Sequence, residues 1–303
     1  MAVPVSWELF EPREGAFREA FVTDIISQAR ENNLKLILLW FGTWKNGTME
    51  YTPSWVKKDT ERFPRAELKD GRKTHNLSPH CPENLEADRK AFCRLLEVVK
   101  RFDQEFNTVI GVQIENEYGH CGGLQAEDGE AHMRRLKELA VKAGFEVPYY
   151  TATGWGGAAT GGLLPVLGGY CDAPWDPRIT EIEPSVNYVF TRERNDRNIG
   201  SDQRKGEDLT WSCDKFPYLT AELGGGIQVT KHRRPVASNR DIGAMTLTKL
   251  GCGANLLGYY MYHGGINPEG KDTTLQESRA TGYNNDLPVK ATISRPVSGS
   301  RVK

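Results

Sequence analysis

The chain has 303 residues, of which 38% are hydrophobic and 26% charged, with a formal net charge of −1 at pH 7. Mean hydropathy is −0.55, and no stretch approaches the roughly 18 uninterrupted apolar residues of a membrane-spanning helix. Balanced charge leaves no electrostatic footprint for nucleic acid or anionic lipid, and 7 Trp, 11 Tyr and 11 Phe exclude a disordered chain.

In chain order, residues 2–9 read as a short extended run ending at Glu11-Pro12. Residues 17–32 have helical periodicity, with Phe21, Ile25, Ile26 and Ala29 on one face. Asn32-Asn33 ends that helix. Residues 35–41 read as a buried-type strand. A polar loop rich in Trp, Lys and Gly then runs from Gly42 to about Cys81, and loops of that length are usually functional.

A long amphipathic helix is predicted over 83–106, with Leu85, Phe92, Leu95, Leu96 and Val99 inward. The strand 108–114 runs into Glu115-Asn116-Glu117-Tyr118-Gly119. A helix over 127–143 is stopped by Gly144. Strands follow at 148–152 and 166–171, with a Gly-rich segment between them. Residues 192–215 are charged and loop-like. A strand at 217–222 reaches Glu222, a helix spans 239–250, and the last strand, 255–262, runs into His263-Gly264-Gly265.

Strands separated by helices argue for a parallel α/β sheet. No GxGxxG or GxxxxGK[ST] follows the first strands, which weakens a nucleotide-binding reading. In a (β/α)8 TIM barrel, catalytic groups sit at the C-terminal ends of different strands. That is where the unusual residues of this chain fall, so the barrel is preferred over an open doubly wound sheet.

Six cysteines, Cys81, Cys93, Cys121, Cys171, Cys213 and Cys252, are scattered with no CxxC pair. This pattern predicts free thiols and no structural metal.

Glu117 and Glu222 each follow an apolar strand directly, roughly three β/α units apart at about 30 residues each. Two carboxylates facing across a barrel mouth are the machinery of glycoside hydrolysis: one protonated to release the leaving oxygen, the other ionised to attack. The alternative for Glu115 or Glu117 alone is an ordinary acidic loop residue. The pairing of Asn116-Glu117 with an isolated Glu222, with aromatics beside both, favours function.

Four segments resemble glycoside hydrolase family 35, the β-galactosidases of clan A. Residues 113–119 (Gln-Ile-Glu-Asn-Glu-Tyr-Gly) resemble its acid/base motif, and Trp7-Glu8-Leu9-Phe10-Glu11-Pro12 its second-strand motif. Ala221-Glu222-Leu223-Gly224-Gly225 resembles its nucleophile strand, and residues 260–268, from Tyr260 through His263 to Pro268, its eighth-strand motif. Residues 39–47, from Leu39-Trp40 to Gly47, further resemble a bacterial and fungal branch. The likeness extends to about Pro288.

The resemblance implies a retaining double displacement on a terminal β-galactoside, with no metal or organic cofactor. Glu222 would be the nucleophile, Glu117 the acid/base, and Asn116 the partner of the sugar 2-hydroxyl. Phe41-Gly42-Thr43-Trp44 stands where many members carry proline-glycine-proline-tyrosine, so the sugar preference stays open. A clan A β-glycosidase of other specificity is the enzyme alternative, and an inactive sugar-binding fragment is the alternative of a different class.

Further substrate contacts are expected from Trp7 and Trp155, which could stack on a sugar face, and from Glu8, Tyr170 and His263. Trp40, Trp44 and Trp175 also fall at strand ends or in the loops after them. Each of these has a packing or salt-bridge alternative. Carbohydrate is the expected partner, with neither nucleic acid nor membrane.

A complete barrel has eight strands, and the pass finds seven. In the family the Trp7–Pro12 motif belongs to the second strand. Residues 1–288 are therefore expected to form a catalytic barrel domain lacking its first strand and helix. Residues 289–303 are expected to form an irregular tail, since one set of codons for Ala291–Pro296, read one nucleotide earlier, encodes a family-like tyrosine-aspartate-phenylalanine run. The sequence MAVPVSWELF carries no signal peptide, which favours a cytoplasmic protein unless an export signal lies upstream.

Overall fold

The computed structural model describes residues 1–44, 50–118, 124, 126–152, 161–170, 186–192, 213–224 and 238–260. It divides into two units, one built on Met1–Leu164 and the other on Pro165–Pro268. The tail at 289–303 lies outside the described residues, as do Trp155, Trp175 and His263.

In the first unit the elements are β1 (Ala2–Ser6), α1 (Trp7–Phe10), α2 (Glu19–Glu31), β2 (Leu36–Phe41), α3 (Ser54–Lys58), β3 (Arg65–Glu67), β4 (Lys73–Leu77), α4 (Pro82–Phe102), β5 (Val109–Asn116), α5 (Ala126–Lys142) and β6 (Tyr149–Ala152). β1, β2, β5 and β6 form a parallel ladder in that order. β3 and β4 form a separate antiparallel hairpin. The second unit contains β7 (Leu164–Tyr170), β8 (Leu219–Gly224), α6 (Asn239–Gly251) and β9 (Leu256–Tyr259), again with parallel pairing in chain order. Strand order within each unit never reverses. A doubly wound sheet has a switch point where it does; a barrel is wound in one direction.

The sequence reading of alternating strands and helices therefore matches the described elements closely, with two differences. The first strand stops at Ser6, and Trp7–Phe10 turns into a short helix whose last carbonyl contact is Glu11 N–H to Trp7 O at 2.8 Å. The segment after β2 is not one long loop. Its described part holds α3 and the β3–β4 hairpin, which short polar strands such as Lys73–Leu77 conceal from a search for apolar runs.

The helices stop where the sequence says they should. α5 closes on Gly144 at φ +75°, with Gly144 N–H to Val141 O at 2.9 Å and Phe145 N–H to Ala140 O at 3.0 Å. α2 ends the same way on Asn33 at φ +53°. In both, a left-handed residue lets two otherwise unpaired carbonyls find donors. α6 begins with a capping box, Ser238 and Asp241 exchanging side-chain and backbone hydrogen bonds.

α2 packs on α4, and α4 on α5. Their apolar faces, with Val22, Ile26, Phe92, Leu95 and Leu136, join Val5, Leu36, Leu38, Val112 and Ile114 of the strands in one buried cluster. Asp103 locks the turn from α4 into β5. It accepts from Thr108 N–H, Val109 N–H and Arg30 at 2.7–2.9 Å. Burial pushes its carboxyl up, but these donors outweigh burial and hold it below the usual range. Cys81, Cys93 and Cys252 are free thiols.

Candidate active site

The informative geometry lies where β5 ends. Asn116 is the last residue of the strand and is buried, and Glu117 follows it half-buried. Glu115 and Glu117 both adopt left-handed backbone angles, φ +59° and +48°, a conformation that costs a non-glycine residue roughly 1–2 kcal/mol. The β5–β6 register shifts across the same stretch, between Gln113 and Asn116. The strand therefore ends in a kinked corner, not a smooth exit.

Side chains hold that corner. Gln113 Nε2 donates to Glu115 O at 3.0 Å and to Asn116 Oδ1 at 2.9 Å. That contact fixes which way round the Asn116 amide lies, its oxygen toward Gln113. Glu115, fully buried, meets His132 Nε2 of α5 at 2.8 Å through Oε1. The Tyr118 ring stacks on the His132 ring, centroids 4.8 Å apart and planes 13° off parallel. Tyr118 Oη in turn accepts from Leu124 N–H at 3.0 Å.

Burial, reinforced by the negative charge of Asp88, pushes the Glu115 carboxyl well above the carboxylate range. Burial also lowers His132 to about 4. Both shifts favour the uncharged forms, so the contact is a hydrogen bond between two neutral groups, its donor set by the imidazole tautomer. Glu115 Oε2 and His132 Nδ1 are buried with no hydrogen-bond partner among the described residues.

Asp88 of α4 forms a second anchor, under the end of β2. It accepts from Trp40 Nε1 at 2.9 Å, Thr43 N–H at 2.7 Å and Thr43 Oγ1 at 2.8 Å. A Cβ on Gly42 would lie 2.4 Å from Asp88 Oδ2, so only glycine permits this approach. Farther along, Glu50 is enclosed, accepting from Leu77 N–H at 2.8 Å. Burial raises its carboxyl to about 7, against the pull of that donor and of Lys57 and Arg65.

In the second unit, Glu222 lies in β8 with its ladder partner Gly168 in β7, and it is half-buried. Tyr170 ends β7 opposite Gly224.

Trp7 takes a different part from the one its motif suggested. Its indole is fully buried, donating through Nε1 to Glu11 Oε2 at 2.7 Å and meeting Trp55 edge-on at 5.8 Å. A ring with no exposed face cannot stack on a sugar, and Trp7 is a core residue. Trp40 is equally enclosed. Glu8 is buried on α1, its backbone N–H bonded to Tyr51 O at 2.8 Å. In the sequence, Gln113 and Tyr118 stand out only as parts of a motif, and Glu115 reads equally as an ordinary acidic loop residue. Asp88 and His132 carry no signal of their own, because they are single polar residues on otherwise amphipathic helices.

Residues 2–132, less than half of the chain, match a glycoside hydrolase family 42 model described as β-galactosidase. No curated protein sequence matches the chain. Among solved structures, the chain is similar to a β-galactosidase from the psychrophilic Marinomonas ef1, with TM-score 0.58 and 16% identity over 93% of this chain and 52% of that one. It is also similar to the exo-β-1,4-mannosidase Op5Man5 from Opitutaceae bacterium strain TAV5, with TM-score 0.53 and 15% identity over 86% and 44%. A third likeness is to Gan42B, a family 42 β-galactosidase, with TM-score 0.54 and 11% identity over 87% and 46%. The chain thus spans about half the length of these structures. These likenesses give the fold as a (β/α)8 barrel, and the matches point toward clan A glycoside hydrolases without singling out family 35.

Proposed function

We propose that the chain is the barrel portion of a retaining exo-β-glycosidase, acting on terminal β-galactosyl residues. The observation that carries the reading is the family match over residues 2–132. It includes Asn116-Glu117, and Glu117 stands at the C-terminal end of a parallel strand, where barrel enzymes keep their chemistry. The motifs at 7–12, 113–119, 221–225 and 260–268 resemble family 35, whereas the matching model is family 42. Both readings assign the same kind of chemistry.

Glu222 attacks the anomeric carbon and forms a glycosyl-enzyme. Glu117 protonates the departing oxygen and then takes a proton from water. Asn116, its oxygen held by Gln113, donates from Nδ2 to the sugar 2-hydroxyl, a contact that strengthens in the transition state. Retention requires carboxyl groups about 5–5.5 Å apart, which is the separation this reading demands of Glu117 and Glu222. Glu8, Trp155, Tyr170 and His263 are proposed as contacts to the sugar or to the nucleophile. The likeness to an exo-β-1,4-mannosidase supports a second reading, in which the same chemistry acts on a different sugar.

A panel of chromogenic β-glycosides tests both. The galactoside is expected to turn over fastest; a faster mannoside would replace the first reading with the second. Glu222→Gly is expected to lose at least about 10⁴-fold in turnover, and azide is expected to restore it with an α-linked azide product. Full activity in that variant removes Glu222 from the mechanism.

A further inference from the structure

The corner that presents Glu117 is strained on both sides of Asn116, at Glu115 and at Glu117. Two left-handed non-glycine residues so close together persist only where the surroundings over-determine them. The contacts converge on one side chain outside the strand. His132 bonds Glu115 on the N-terminal side of Glu117, and it stacks against Tyr118 on the C-terminal side. Its imidazole is fully enclosed and sits on the 17-residue helix α5, so it is a rigid post, not a mobile loop residue.

We infer that His132 is a positioning residue for Glu117, gripping the residues that flank it so that the acid/base carboxyl stays aligned with the leaving-group oxygen. This rests on the proposed acid/base role of Glu117. Among the described residues, no other side chain on α5 holds Glu115 against relaxation to an unstrained backbone. Such relaxation would rotate the peptide planes leading to Glu117. Proton delivery depends on heavy-atom approach of roughly 2.6–3.2 Å, so a small rotation is felt in catalysis. The nucleophile takes no proton from the acid/base, so attack on a substrate whose leaving group departs unprotonated does not need this alignment.

That separation makes the role measurable. Leaving groups of low pKa, such as 2,4-dinitrophenolate, depart without a proton, whereas poor ones need it. We would determine kcat/KM for a series of aryl β-galactosides with the unsubstituted chain, Glu117→Ala and His132→Phe. Phenylalanine keeps a ring against Tyr118 and fills the space but cannot bond Glu115. Both variants are expected to lose most on poor leaving groups. For His132→Phe the loss there is about 10-fold or more, with less than about twofold on the dinitrophenyl substrate, giving a steeper dependence on leaving-group pKa. The ratio of two rates on one preparation is independent of the fraction folded, so a merely destabilised variant does not mimic the effect. His132→Gln, which can keep a hydrogen bond to Glu115, is expected to recover the shallow dependence.

If Glu117→Ala steepens the dependence and His132→Phe leaves it at the wild-type slope, His132 has no positioning role. If Glu117→Ala also shows the wild-type slope, or the unsubstituted chain turns over none of the series, the acid/base assignment falls and the inference falls with it.

Discussion

The strands of the two units are tied by different kinds of side chain. In the unit based on Met1–Leu164, the segments leaving the strands include buried ionisable side chains among their ties: Asp88 on Thr43 N–H after β2, the Glu115–His132 contact at β5, and Glu11 on Gly15 N–H and the Trp7 indole. In the unit based on Pro165–Pro268, the ties that join β8 to β9 near their N-terminal ends come from neutral groups. Thr220 Oγ1 donates to Leu256 O at 3.1 Å and accepts from Gly258 N–H at 3.2 Å, and Asn255 Oδ1 accepts from Tyr218 N–H at 2.8 Å. Glu222 keeps a ladder partner, Gly168, although the register of β8 shifts beside it against both β7 and β9, whereas Glu117 lies just past the end of its strand on a corner with left-handed backbone angles. A carboxyl on a ladder inherits its position from backbone hydrogen bonds. A carboxyl on a corner inherits it from a handful of side chains, and those are easier to break.

The sharpest break is expected at Gln113. Gln113→Leu keeps the volume but removes the donor shared by Glu115 O and Asn116 Oδ1. Leaving two buried acceptors unsatisfied at about 1–3 kcal/mol each predicts a loss of roughly 4 kcal/mol in urea denaturation. A loss below about 1 kcal/mol would mean that the corner is held by the ladder after all, and the contrast with β8 would vanish.

The second difference is one of pH. Burial raises the Glu50 carboxyl from an ordinary 4.5 to about 7 in the folded chain. The folded state therefore holds a proton that the unfolded state has already released. Between pH 4.5 and 7 the unfolded chain binds fewer protons, so stability falls as pH rises across that window and levels off above it. At 1.36 kcal/mol per pH unit the drop amounts to at most about 3 kcal/mol. Glu50→Gln mimics the protonated acid and is expected to flatten the profile, raising stability at pH 8 and leaving it unchanged at pH 4. A variant whose pH 4-to-8 slope matches the parent would show that Glu50 is not the group responsible.

The repeating alternation of apolar runs and amphipathic helices was enough to place the parallel strands, because burial on both faces leaves a continuous apolar signature. Gly144 and Asn32-Asn33 marked helix ends through the same left-handed geometry the structure displays. What sequence could not separate was chemistry from packing among the aromatics. Trp7 lies in a motif and next to Glu8, yet its ring is filled space. An indole suits a core as well as a sugar face, and only burial decides between them. Local order was equally hidden at 65–77, where polar strands carry no period-two apolar signal. His132 was invisible for a further reason: its partner Glu115 lies on a different element, and contacts of that kind are set by how α5 lies on β5.

The smallest effect tests the other side of the comparison. Thr220→Val removes one hydroxyl that bridges β8 and β9, while the β-branched shape and the ladder pairing of Thr220 with Leu257 remain. Valine suits a strand at least as well as threonine. The loss should be confined to one part-buried acceptor and one part-buried donor, with the backbone free to adjust along the ladder, giving about 1 kcal/mol. Because no ionisable group is involved, the loss should be the same at pH 5 and pH 8, in contrast to Glu50→Gln. In the proposed enzyme it should also leave the leaving-group dependence untouched, since Glu222 keeps its register opposite Gly168. A pH-dependent loss, or one as large as that of Gln113→Leu, would mean that the strands of both units rest on side chains to the same degree.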